Sequence, residues 1–175
     1  MKRALYPGTF DPVHYGHLDL MKRASAIFDE LIVGVYDHKR PSKSILFPVD
    51  ERIAMIQEAL NAQPNITISR YSGLTVDLAR EVGAQVFVRG LRVFSDFEFE
   101  FRLALANKRL APEIETISLI TGEEHMFLSG TIVREIASLG GDVSSMVPPN
   151  VASALYARFN DEDAEHFNRP VPLRD

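Results

Sequence analysis

Residues 6–17 read Tyr-Pro-Gly-Thr-Phe-Asp-Pro-Val-His-Tyr-Gly-His and come directly after a short apolar start, Ala4-Leu5-Tyr6. The stretch is poor in packing residues and holds two Pro, two Gly, two His, an Asp and a Thr. In a parallel sheet, ligands bind outside the carboxyl ends of the strands, which is where this segment falls if Ala4–Tyr6 is the first strand. Gly8 frees the backbone for close approach, Thr9 offers a hydroxyl, and Asp11-Pro12 reads as a turn. His14-Tyr15-Gly16-His17 then opens a helix. A helix N-terminus presents unsatisfied N–H groups and partial positive charge, and two imidazoles added there suit phosphate oxygens. A plain loop with two surface histidines is the alternative. A metal site fits less well, since no HExxH pattern and no Cys is present, and neither GxxxxGK[ST] nor GxGxxG occurs.

Working outward, short runs rich in Val and Ile alternate with segments of helical period. Leu31–Tyr36, Ile66–Ser69, Gln85–Arg89 and Thr116–Ile120 read as further strands. Leu18, Met21, Ala24 and Phe28 share one helical face, as do Ile53, Ile56, Ala59 and Leu60, with Asp50-Glu51 at the positive end of that helix. Leu74–Val82 stops at Gly83, a fourth helix starting near Ser95 or Asp96 ends before Pro112, and Thr131–Leu139 and Val151–Phe159 follow. The pattern predicts an α/β fold: a Rossmann-like domain over residues 1–159, with a doubly wound five-stranded parallel sheet, helices on both faces and a helical C-terminal part. Residues 160–175, polar and carrying Pro170 and Pro172, read as a mobile tail or an interface arm.

Composition limits the partners. The 175 residues are 46% hydrophobic and 25% charged, ordinary for a globular protein, and carry a net charge of −5. No global positive field would draw the chain to nucleic acid or to an anionic membrane, so neither is expected as a partner. Without Cys there are no disulfides or thiolate metal sites. The apolar start is too short for a signal peptide, and no run approaches the roughly 18 apolar residues of a membrane span. The expectation is a cytoplasmic protein.

Three other segments carry chemistry. Val88-Arg-Gly-Leu-Arg92 ends a strand, and its two guanidinium forks suit phosphate oxygens, unless they are only solvated. Ser95-Asp-Phe-Glu-Phe-Glu-Phe-Arg102 alternates like a strand but runs into Leu103–Leu110, so one helix is expected, with Phe97, Phe99 and Phe101 in the core or in subunit packing. Leu128-Ser-Gly-Thr-Ile-Val-Arg134 places Ser and Thr before a helical run, either as a plain N-cap or as another anion site. Lys39, Arg40 and Lys43 lie in a basic loop, and a mobile Lys43 could close over a transferring phosphoryl group if that loop is more than solvated surface.

T-F-D-P followed by H-x-G-H at a helix start resembles the nucleotidylyltransferase superfamily. Together, PGTFDPxHxGH, SKSxxFxxxER, RGLRxxxDFExE and LSGTxVRE resemble the phosphopantetheine adenylyltransferase family, over about residues 2–158. RGLR followed by DFExE is the more specific part. The family's helix-start motif usually reads I-S-S-S where Leu128-Ser129-Gly130-Thr131 stands here, and a Tyr is common where Phe99 stands. Gly130 thus lacks one expected hydroxyl.

The resemblance implies transfer of an adenylyl group from ATP to 4′-phosphopantetheine, giving dephospho-coenzyme A and pyrophosphate. Attack is direct and in line, with no covalent enzyme intermediate. It implies His17, Lys43 and Arg89 as catalytic residues. The ATP site would comprise Thr9, Phe10, His14, His17, Gly90, Leu91, Arg92, Glu100, His125, Met126, Phe127, Leu128, Ser129, Gly130 and Thr131. Thr9, Lys43, Thr75 and Arg89 would hold the second substrate. Mg²⁺ would be bound mainly through the ATP phosphates, with no protein ligand, and the family assembles as a homohexamer. Three other readings are a sister enzyme with another acceptor, a nucleotide-binding module without activity, and a structural oligomer. The RGLR and DFExE motifs, the retained His17 and Arg pair, and the repeated polar strand ends count against them in turn.

Overall fold

The computed structural model describes residues 1–38 and 45–160. Strands and helices alternate: β1 (Arg3–Gly8), α1 (Tyr15–Ile27), β2 (Glu30–Tyr36), α2 (Val49–Leu60), β3 (Ile66–Tyr71), α3 (Thr75–Glu81), β4 (Val86–Leu91), α4 (Phe94–Leu110) and β5 (Glu115–Ile120). A 3-10 turn at Glu123–His125, α5 (Gly130–Ser138) and α6 (Pro149–Asn160) complete the order. All strand pairs are parallel, in the order β3-β2-β1-β4-β5. The chain therefore runs outward from β1 in one direction and returns to run outward in the other, which makes β1 and β4 the neighbours at the point where the order reverses. The Rossmann-like, doubly wound sheet with helices on both faces is as expected.

Alternation along the strands divides the core between the two faces. Ala4, Tyr6, Leu31, Val33, Val35 and Val88 point into one apolar cluster, closed by residues of α1, α2, α5 and α6 such as Met21, Ile56, Val133 and Leu155. Leu5, Ile32 and Phe87 point the other way, onto Val76, Leu78 and Ala79 of α3 and onto Ala111 and Ile114. This two-sided burial is why β1 and β2 read as continuous apolar runs.

Two elements depart from the sequence reading. β4 runs on past Arg89 and takes in Gly90 and Leu91 as well. The Phe/Glu alternation is helical, as expected, but α4 buries none of its residues: Phe94 is 93% exposed, and Phe97, Phe99 and Phe101 are exposed as well. Core packing within one chain is thereby excluded for these phenylalanines. No helix among the described residues is long and apolar enough to cross a membrane. Lys39, Arg40, Lys43 and the segment 161–175 lie outside the described residues.

Candidate active site

A cleft of about 720 Å³ opens at the carboxyl ends of the strands, above β1 and β4. Its floor is the β1–α1 loop. Phe10 adopts a left-handed conformation, φ 52°, and its ring folds back over Gly8, where a Cβ would stand 2.8 Å from the ring tip. Gly8 therefore makes room for Phe10, a closer reason for the glycine than approach of a ligand. His14 caps α1, and its ring stacks on that of His17 at 3.6 Å. The His14 backbone N–H donates to His17 Nδ1 at 3.3 Å. A nitrogen that accepts carries no proton, so the neutral ring bears its proton on Nε2. Tyr15 N–H is already committed, to the Met146 carbonyl at 3.0 Å.

Both imidazoles are held neutral. Burial, then the charges of Arg92 and His125, lowers the His14 pKa to about 3. Burial, then His14 and Arg92, puts that of His17 well below its ordinary value. The pair thus offers hydrogen bonds rather than charge. His14 Nδ1 is buried without a partner, an unsatisfied polar atom at the cleft wall.

Charge comes from β4. Arg89 grips Glu100 of α4 through Nε and Nη2, both at 2.7 Å, and donates from Nη1 to the Pro7 carbonyl at 3.0 Å. Burial works against its charge, yet the paired carboxylate outweighs it and raises the Arg89 pKa. Of five guanidinium donors three are engaged, which leaves two for a ligand. Arg92 chelates Asp96 (3.1 and 3.3 Å) and donates to the Leu128 carbonyl at 2.7 Å. It thereby fastens the chain that leads into α5. There Ser129 Oγ accepts from Ile132 N–H at 3.2 Å, so this hydroxyl is the N-cap. A Cβ at Gly130 would lie 2.9 Å from the Asp11 carbonyl oxygen. A side chain at that position would require α5 and the β1–α1 loop to move apart.

The opposite wall differs in character. Tyr36 and Tyr71, the last residues of β2 and β3 and partners in register, pack edge to face at 5.2 Å. Tyr71 Oη and Thr75 Oγ1 lie 3.2 Å apart. One face of α4, with Glu100, Leu103, Asn107 and Leu110, closes this side.

Of the residues expected from the sequence, Thr9, Phe10, His14, His17, Thr75, Arg89, Gly90, Arg92, Glu100, His125, Ser129 and Gly130 converge on the cleft. Leu91, Met126, Phe127, Leu128 and Thr131 lie off its wall: Leu128 is fully buried and reaches the site only through its carbonyl, whereas Met126 and Phe127 are exposed. Tyr36, Tyr71 and Asn107 line the cleft unforeseen. The strand-end rule that picked out Thr9 and Arg89 would also have found the two tyrosines. Among the described residues no three His, Cys, Asp or Glu side chains stand together as a cation cage.

Neutral donors and arginines thus gather at the reversal point of a doubly wound sheet, and the sequence model of the cytidylyltransferase-like family matches residues 5–136. Phosphopantetheine adenylyltransferase of Thermomicrobium roseum is 48% identical over 158 residues, 90% of this chain and 95% of its own. That of Methylococcus capsulatus is 51% identical over 156 residues, 89% of this chain and 95% of its own. In fold, the chain is similar to a bifunctional NMN adenylyltransferase/ADP ribose pyrophosphatase from Francisella tularensis, with a TM-score of 0.69 at 15% identity, covering 95% of this chain and 51% of that one. The chain belongs to the phosphopantetheine adenylyltransferase family.

Proposed function

We propose that this protein transfers the adenylyl group of ATP to 4′-phosphopantetheine, releasing dephospho-coenzyme A and pyrophosphate. The observation that carries the reading is the two-sided cleft. One side gathers His17, Arg89, Arg92 and the start of α5; the other offers Tyr36, Tyr71, Thr75 and a face of α4 to a longer, partly apolar substrate. A phosphate oxygen of the acceptor attacks the α-phosphorus of ATP, and the bond to the β-phosphate oxygen breaks as pyrophosphate leaves. The cleft residues need supply no nucleophile. Catalysis rests on positioning and on stabilising charge at the reacting phosphorus.

His17 directs its Nε2–H at the developing charge, and His14 lies beside it against the triphosphate. Arg89 holds the acceptor phosphate with its two remaining donors while Glu100 fixes its plane, and Thr9 adds a hydroxyl. Lys43, matched only by the family pattern, would complete this phosphate site. Gly90, Arg92, His125 and Ser129–Gly130 belong to the nucleotide side, and Thr75 to the pantetheine arm. Mg²⁺ would be held mainly by the ATP phosphates rather than by protein side chains, and its chemistry there would be to offset their negative charge. We place the enzyme in the cytoplasm and, by the family resemblance, in a homohexamer whose contacts would cover the exposed phenylalanines of α4; sedimentation tests the assembly directly.

The decisive experiment is pyrophosphate release from ATP and Mg²⁺ with 4′-phosphopantetheine or nicotinamide mononucleotide as acceptor. Release with phosphopantetheine alone is expected. Release only with the mononucleotide overturns the substrate, and release with neither overturns the activity.

A further inference from the structure

Phe10 is a bulky residue held at φ 52° in the middle of the β1–α1 loop. A non-glycine residue persists in this region only where its surroundings leave it no alternative. Here both flanking residues are tied by arginines from elsewhere in the chain. The Thr9 carbonyl accepts from Arg52 Nη1 of α2, and the Asp11 carbonyl from Arg134 Nη1 of α5. The Asp11 carboxylate also accepts from Leu46 N–H at 2.8 Å, Phe47 N–H at 2.9 Å and Arg134 Nη1 at 3.2 Å.

Arg52 is only 2% exposed. It donates further to the Phe47 carbonyl at 2.9 Å and the Tyr36 carbonyl at 3.0 Å. A buried cation hydrogen-bonded to carbonyls rather than paired with a carboxylate is costly. What the guanidinium offers in return is geometry, because its planar fork fixes the directions of its donors to three carbonyls from three segments, whereas an ammonium is a point charge on a flexible stem. Between the two clamps, the Phe10 ring is 3% exposed and meets His17 edge to face, 5.0 Å between centroids at 80°.

We propose that Arg52 and Arg134 are positioning residues for the transfer: by clamping the carbonyls on either side of Phe10 they press its ring against His17 and set the aim of the His17 Nε2–H. The inference rests on the role assigned to His17 above. Neither arginine lines the cleft; each acts through the loop.

The test uses the full chain with three variants, Arg134→Met, Arg52→Lys and Phe10→Leu. Each is followed by kcat, by KM for both substrates, by thermal midpoint and by the ¹⁵N-edited imidazole signals of His17. A misplacement of about 1 Å costs on the order of a hundredfold in rate. Arg134→Met and Phe10→Leu should therefore lower kcat by about 10- to 100-fold. Both KM values should stay within about threefold of wild type, and the His17 ring-nitrogen signals should move away from the Nε2–H pattern. Arg52→Lys should do the same if it folds; the Arg134 side chain is 25% exposed, so its replacement keeps the test available if Arg52→Lys does not. Wild-type kcat and unmoved His17 signals in variants with a lowered thermal midpoint would overturn the proposal, leaving the arginines merely structural. So would a rise in both KM values with unmoved His17 signals. Should the wild type transfer no adenylyl group while the His17 signals still shift in the variants, the clamp stands and the functional reading falls.

Discussion

Replacing His17 with alanine removes its stack on His14 and three further interactions whose sizes can be compared. The His14 N–H loses its acceptor at 3.3 Å, a capping contact worth about 1 kcal/mol. The edge-to-face contact with Phe10 goes as well, worth about 0.5–1.5 kcal/mol. For a chain of this size each kcal/mol moves the thermal midpoint by about 2–4 °C, so the variant should melt on the order of 5 °C lower and remain folded. The third loss is the Nε2–H aimed at the reacting phosphate. Removing one preorganised donor costs about 10²–10³ in kcat, or about 2.7–4 kcal/mol. The catalytic loss should exceed the structural one. Pyrophosphate release at saturating ATP and 4′-phosphopantetheine, set beside a melting curve, separates the two. A kcat within about threefold of wild type, in a variant whose midpoint has fallen, would refute the donor role. The pH profile adds a check. Because burial keeps His17 neutral, kcat should show no inflection near pH 6.5 that disappears with His17→Ala.

Other consequences are open to measurement. His14 titrates at its ordinary 6.5 in the unfolded chain and at about 3 in the folded one. Its neutral form therefore contributes full stability above about pH 6.5 and loses it as pH falls toward about 3. The urea midpoint should drop across that window, and less steeply in His14→Gln; equal slopes would count against the buried neutral imidazole. Gly130→Ser, which restores the family's usual hydroxyl, should lower both stability and turnover, since its Cβ would meet the Asp11 carbonyl at 2.9 Å. Overpacking of this kind costs about 1–3 kcal/mol, and a variant faster than wild type would show that the hydroxyl matters more than the fit. Arg89→Ala leaves Glu100, 13% exposed, without its partner, at a cost of about 3 kcal/mol. It should raise KM for 4′-phosphopantetheine more than the dissociation constant of ATP, and equal effects on both would remove Arg89 from the acceptor phosphate.

The parts of the fold and site that could be read from the sequence depend on local rules. β1 and β2 are buried on both faces and therefore appear as unbroken apolar runs. The loop after β1 shows itself because polar, turn-forming residues follow a strand abruptly. Arg89 was visible as a strand-end cation, but its grip on Glu100 was not, because that pairing depends on how α4 leans on β4. The α4 phenylalanines read as core or subunit contacts because sequence records apolarity and not which body covers it. Arg52 appeared only as the last residue of the SKSxxFxxxER pattern, and its burial was hidden for the opposite reason: an arginine on an amphipathic helix reads as surface, and only the arrival of three carbonyls from separate segments explains its burial.

The clasp around the β1–α1 loop also bears on how the chain is made. Residues 9–17 leave the ribosome early, whereas the arginine that secures Asp11 lies 123 residues later and the carbonyl that receives Tyr15 N–H belongs to Met146. Domains form from the amino end during synthesis, yet contacts this distant in sequence close last. A nascent chain that has completed all five strands already has Arg52, Leu46 and Phe47 for its first loop, but still lacks Arg134 and the Met146 carbonyl. Fragments ending before α5 should form the sheet and remain inert, and competence should appear abruptly once the segment through Met146 is free to pack.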